Sequence, residues 1–101
     1  MSAPPLTFPE FYPRYLREHS RRGTRILHFV GTTLFLVALV LAAAWQRPVL
    51  VLAGVVAAYG CAWIGHFFVE HNRPATFKYP RWSFIGDWVM WKEILTGKIK
   101  F

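Results

Sequence analysis

The stretches ILHFVGTTLFLVALVLAAAWQ (Ile26–Gln46) and PVLVLAGVVAAYGCAWIGHFFV (Pro48–Val69) contain no Lys, Arg, Asp or Glu, and only Arg47 separates them. Each run is roughly 21 residues, about 31 Å as a helix, which matches a hydrocarbon core of about 30 Å. A soluble domain of 101 residues has little core to spare, yet this chain concentrates its apolar residues in two blocks. Two membrane spans, about 26–46 and 48–70, are the natural reading. The short connection around Gln46 and Arg47 predicts an antiparallel hairpin. Ala42, Ala43 and Ala44 imitate a signal-cleavage site, but the preceding segment is too long for a leader and a second full span follows.

The net charge of +7 could suggest nucleic acid, but its distribution argues against that partner. Arg14, Arg17, Arg21, Arg22 and Arg25 precede the first span, and Arg73, Lys78, Arg81, Lys92, Lys98 and Lys100 follow the second. Basic residues collect on the cytoplasmic side of membrane proteins, so both termini are expected there, with the Trp45–Pro48 turn outside. Attraction to anionic lipid accounts for the rest of the excess. Cys61 lies alone in a span and reads as packing.

The flanks carry helical spacing too. Residues 1–6 read as a loose end. Thr7 and Glu10 form a capping-box pair, and Phe8, Phe11, Tyr12, Tyr15, Leu16 and His19 recur on one face. An interfacial helix is expected over about 8–22, kinked or delayed by Pro13, with aromatic residues dipping into the membrane and Gly23 bending the chain into the first span. Asn72, Arg73, Pro74, Tyr79 and Pro80 mark a polar loop over 71–82. Phe84, Trp88, Trp91 and Leu95 predict a second interfacial helix over about 83–96. The whole is one all-α integral membrane domain, residues 1–101: a two-span antiparallel helical hairpin flanked by amphipathic interfacial helices. Gly54, Ala58 and Ala62, with Cys61 and Gly65, form small-residue pairs four apart that let helices approach closely, and homodimerisation through that face is expected.

All four histidines fall at span edges, His19 and His28 before or at the start of the first and His66 and His71 at the end of the second. A hairpin brings those edges to one membrane face, where they form a potential metal site with Glu70. His28 and His66 lie at comparable depth on opposed helices, although each could simply snorkel or bond a carbonyl. Glu70 follows His66 by four, so an α-helix would project both from one face. It could ligate metal, orient an imidazole or pair with Arg73 on the surface. His71 points about 100° away and is expected to miss the site. His19 ends the aromatic stripe, which aims it at the hairpin mouth, and a solvated helix-end histidine is the alternative. Arg73 and Lys78 could hold a substrate carboxylate or anchor lipid headgroups. Asp87 is either a further ligand or electrostatic trim at a helix start.

The segments Phe11–Leu16, His19 to His28 with Gly31-Thr32, Gly65–Glu70 running into Asn72–Pro80, and Trp82–Phe84 with Asp87 resemble a family of small bacterial membrane proteins. That family is related to the fungal endoplasmic-reticulum 2-hydroxy fatty acid dioxygenase. The resemblance implies an iron(II)-dependent enzyme that uses molecular oxygen to decarboxylate 2-hydroxy fatty acids, with His19, His28, His66 and Glu70 matching the shared metal positions. It also implies a fatty acyl substrate drawn from the membrane, with Arg73 at its head. Two other classes stay open on the residues alone. His28 and His66 could be axial ligands of a haem in an electron-transfer protein, or the histidines of a metal-free scaffold could merely cap helices.

Overall fold

The structure, a computed structural model, describes residues 7–101; the expected loose end at residues 1–6 lies outside them. The described residues are helical, with no strand: α1 (Phe8–Arg17), α2 (Arg22–Ala44), α3 (Val49–Ile64) and α4 (Pro80–Leu95). A π-helical turn (Gly65–Glu70) continues α3, and a 3-10 turn (Ala75–Phe77) precedes α4.

Thr7 starts α1, its hydroxyl accepting from the Glu10 backbone N–H and donating to the Glu10 carboxylate. The helix runs through Pro13 without interruption and ends at Arg17, short of the expected 22. The amide that Pro13 lacks removes a single helical bond. Burial of the neighbouring aromatic face offsets that loss, since Phe11 and Tyr15 are completely buried, at roughly 1.5–3 kcal/mol for a side chain of this size.

That burial corrects one expectation. The stripe of α1 faces protein rather than lipid: Phe11 and Tyr15 pack with Met90 and Ile94 of α4 and with Ala75. Gly86 allows the contact, because a Cβ there would lie 3.1 Å from the Tyr15 ring. Two phenols fasten the seam, Tyr12 to the Glu93 carboxylate and Tyr15 to the Asp87 carboxylate. Burial and the adjacent carboxylates hold both phenols protonated, well above the ordinary tyrosine range.

Helices α2 and α3 touch along their length with residue numbers running in opposite directions. Gly31 meets Ala58 and Cys61, Gly54 meets Ala38 and Phe35, and Gly65 meets Thr24. The small residues of α3 are therefore used against α2 within the chain, and a second copy would have to pack on another face. The connection is the short one expected, closed by Arg47 N–H donating to the Ala42 carbonyl at 2.9 Å. Helix α4 begins at Pro80, three residues before its expected start, and lies along α2, where Trp91 Nε1 donates to Thr33 Oγ1 at 2.9 Å and Trp88 approaches Phe35.

The helices Arg22–Ala44 and Val49–Glu70 are long and apolar enough to cross a membrane, and only 17% of each apolar window is buried inside the molecule. Val37, Val40, Leu52 and Val56 point outward from them. A core helix of a soluble protein would be mostly covered.

Candidate metal centre

Three chain segments meet at the start of α2. His19 lies in the short link between α1 and α2, His28 on the second turn of α2, and His66 in the π-helical turn after α3. All three side chains are buried, and one ring nitrogen from each lies within 4.8 Å of the others. Nε2 of His19 and Nε2 of His28 face each other at 3.1 Å. The rings stand nearly perpendicular, with centroids 4.3 Å (His19–His28), 4.5 Å (His19–His66) and 5.2 Å (His28–His66) apart.

The other nitrogen of each ring has its own partner. His19 Nδ1 lies 2.6 Å from the Tyr15 carbonyl, which can only accept, so this nitrogen carries the proton. His66 Nδ1 lies 2.7 Å from Asn72 Oδ1. The Asn72 amide nitrogen donates to the Glu18 carbonyl at 3.1 Å, which fixes the amide orientation and makes His66 Nδ1 a donor as well. His28 Nδ1 sits 3.7 Å from the Asp87 carboxylate. Protons held on the outer nitrogens of His19 and His66 leave their inner ones as lone pairs, the form that ligates a cation, and outer partners of this kind commonly orient metal-binding imidazoles.

The electrostatics agree. Burial, reinforced by His66, lowers the pKa of His19 to about 3, so its imidazole is neutral at physiological pH. Burial raises Asp87 to about 6, opposed by its bond from Tyr15. Facing imidazole lone pairs repel one another unless a cation or a proton lies between them. Thr24, one turn before His28 on the same face, packs its methyl group beside Gly65, and its hydroxyl is buried with no hydrogen-bond partner among the described residues. Three buried imidazoles converging on one point, two of them with outer nitrogens anchored by hydrogen bonds, fit a single divalent ion of the imidazole-preferring type. They do not fit a haem between His28 and His66, because His19 lies against both rings where the macrocycle would have to pass.

Glu70 is placed differently. The chain turns π-helical at Gly65, which rotates Glu70 relative to its α-helical position, and its carboxylate is engaged away from the imidazole nitrogens. The Glu70 carboxylate accepts from the Arg21 backbone N–H and the Ser20 hydroxyl, at the N-terminus of α2, where unsatisfied amides and the helix dipole favour an anion. Arg25 Nε also donates to the His19 carbonyl at 2.8 Å. The link carrying His19 is thus held by Asn72, Arg25 and Glu70 together.

His71 closes the π-helical turn in the left-handed conformation, φ 61°, with its side chain exposed and outside the cluster. Arg73 and Lys78 are exposed and line a cleft with Arg14, Glu18 and Tyr79. Pro74 and Ala75, both buried, line both this cleft and the space beside His28 and His66, whereas Arg73 and Lys78 line the cleft alone.

A family model described as 2-hydroxy-palmitic acid dioxygenase Mpo1-like matches residues 6–99. The chain belongs to the Mpo1-like family. No curated protein and no solved structure matches it. Within this Mpo1-like chain the sequence pattern singled out the three clustered histidines but not Tyr15 and Asn72 as their supports. Tyr15 acts through its backbone carbonyl, which no side-chain motif can signal. Asn72 reaches back to His66 only because the π-helical turn closes, with Asn72 N–H donating to the His66 carbonyl at 2.9 Å.

A prediction separates support from ligation at Glu70. Because its carboxylate holds backbone rather than the histidine nitrogens, Glu70→Gln keeps a hydrogen-bonding oxygen and retains bound metal to within about tenfold, whereas Asn72→Ala lowers metal affinity by roughly 10–100-fold. Competition with a chelator of known affinity reads both values. Greater loss for Glu70→Gln than for Asn72→Ala would make Glu70 a ligand.

Proposed function

We propose that the chain is an iron(II)-dependent dioxygenase embedded in the bacterial inner membrane, and that it oxidatively decarboxylates 2-hydroxy fatty acids to the acid one carbon shorter. The observation that carries the reading is the convergence of His19, His28 and His66, each with its outer nitrogen facing a hydrogen-bond acceptor or a carboxylate, in a chain of the Mpo1-like family. The reaction balances with one dioxygen: the 2-hydroxy acid and O2 give the shortened acid, carbon dioxide and water. The carbon–carbon bond to the carboxyl breaks, the hydroxyl-bearing carbon becomes the new carboxyl, and dioxygen is reduced.

His19, His28 and His66 would hold the iron. When bound, the ion supplies positions for dioxygen and for the hydroxyl and carboxylate of the substrate. The protein contributes orientation and surroundings. Tyr15 and Asn72 keep protons on the outer nitrogens of His19 and His66, and the buried setting keeps His19 neutral. Asp87 can share a proton with the Tyr15 phenol beside His28. Glu70 acts as a positioning residue that fastens the His19 link to the end of the second span. The cationic cleft of Arg14, Arg73 and Lys78, which shares Pro74 and Ala75 with the lining of the histidine site, draws anionic acids and lipid headgroups to its neighbourhood.

The reading includes α2 and the α3 extension as an antiparallel hairpin through the bilayer with both termini cytoplasmic, so reporters fused at either end read as cytoplasmic. The test of function is anaerobic loading with ferrous iron, then product analysis with 2-hydroxypalmitate and oxygen. The expected result is stoichiometric formation of the acid one carbon shorter. A folded, iron-loaded protein that leaves every 2-hydroxy fatty acid unchanged overturns the assignment.

A further inference from the structure

A narrow apolar groove leads away from the histidines. It starts at His28 and His66, passes Ala62 and Asp87, and continues between α2, α3 and α4 to Phe35, Val55 and Trp88. Its stretches are continuous: Tyr59 and Asp87 line the whole length, His28 the near part, and Thr32 and Ala58 the far part. From His28 to Phe35 it follows α2 for two helical turns, about 10 Å.

Its chemistry is graded. The charged and imidazole groups stand at the histidine end and along the Asp87 side, and the far end is formed by aliphatic and aromatic side chains. The far end also lies within the segments long and apolar enough to cross a membrane. Tyr59 and Phe84, 38% and 53% exposed, form the rim, so the groove opens sideways toward the surroundings of the spans rather than along them. An amphiphile lying in a bilayer can enter such a slot with its tail in apolar surroundings throughout.

We propose that this groove holds the unbranched acyl tail of the substrate with its polar head at the histidines, and that Thr32, Ala58 and Val55 set the tail length it accepts. The proposal rests on the fatty acid reading above and adds a site for the tail. Continuity with the metal centre selects this occupant, because a polar end leading directly into an apolar slot matches a single-chain amphiphile. Ala58 lines the middle and far stretches but not the stretch beside His66, so a larger side chain there fills the path away from the histidines.

The test has two readouts. In iron-free Trp63→Phe protein, which lacks the tryptophan beside the histidine end, palmitate brominated at mid-chain quenches tryptophan emission more strongly than palmitate brominated next to its carboxyl, because Trp88 stands at the far end, about 10 Å along α2 from His28. Trp88→Phe removes that difference, and Ala58→Leu removes it too. In the iron-loaded protein, Ala58→Leu lowers turnover of medium- and long-chain relative to short-chain 2-hydroxy acids by roughly tenfold or more, the scale on which a filled apolar pocket discriminates. Thr32→Leu carries the same test if Ala58→Leu does not fold. Quenching or a chain-length ratio unchanged in a folded groove variant overturns the proposal. Position-dependent quenching without consumption of any 2-hydroxy acid would instead overturn the oxidation and leave the groove standing; consumption with unchanged quenching and ratio would do the reverse.

Discussion

His28→Ala and His66→Ala each leave purified protein with little bound metal, whereas His71→Ala retains it. Each of the first two removes one of three converging nitrogens from a site that has no other carboxylate or imidazole within the same cluster among the described residues. With two imidazoles remaining, affinity falls well beyond the 10–100-fold expected for a supporting residue. His71 lies outside the cluster on an exposed left-handed turn, so its loss touches no ligand. Metal content by elemental analysis after anaerobic loading, with helicity measured on the same samples, distinguishes loss of ligand from loss of fold. Equal metal content in all three variants would place the site elsewhere.

Gly54→Leu produces the largest loss of stability. A Cβ at this position would stand 2.6 Å from the Ala38 Cβ, closer than two carbon atoms pack, and 3.3 Å from the Phe35 ring. The helices must separate, and overpacking of this kind costs about 1–3 kcal/mol or more. In a helix pair held by close packing of small residues, that displacement is transmitted to both ends. His28 rides on α2 and His66 on the continuation of α3, so metal is lost along with stability. Thermal unfolding in detergent and metal analysis check both effects. Gly54→Leu combined with Ala38→Gly recovers part of the loss, because the second change removes the atom that clashes; equal loss in the single and double variants would show that the two positions do not share the contact.

Much of this arrangement is legible in the chain before any coordinates. Two uncharged runs with one arginine between them define two long apolar helices and a short link, because helix rise and turn length leave few alternatives. Thr7 starts α1 as the capping pattern indicates. The placement of His19, His28 and His66 at one end of that helix pair follows from their positions in the sequence once the pair is antiparallel. Residues four apart on α3 announce a close helix contact, though not which helix makes it.

The remainder depends on atoms that sequence spacing does not relate. The aromatic stripe of α1 shows only that one face is apolar; the approach of Gly86 to Tyr15 decides that protein covers it rather than lipid. The π-helical turn shifts Glu70 away from the face that an α-helix would give it and toward the α2 N-terminus, where free amides stabilise its charge. It also brings Asn72 back to His66. By itself, then, the sequence determined the apolar helix pair, its turn and the three histidines at its open end, because those follow from local periodicity and charge placement. Only the tertiary structure decided which residues support the histidines and where Glu70, Arg73 and Lys78 lie, because backbone carbonyls, a one-residue change of helical hydrogen-bond register and contacts between segments 49 to 54 residues apart leave no local signature.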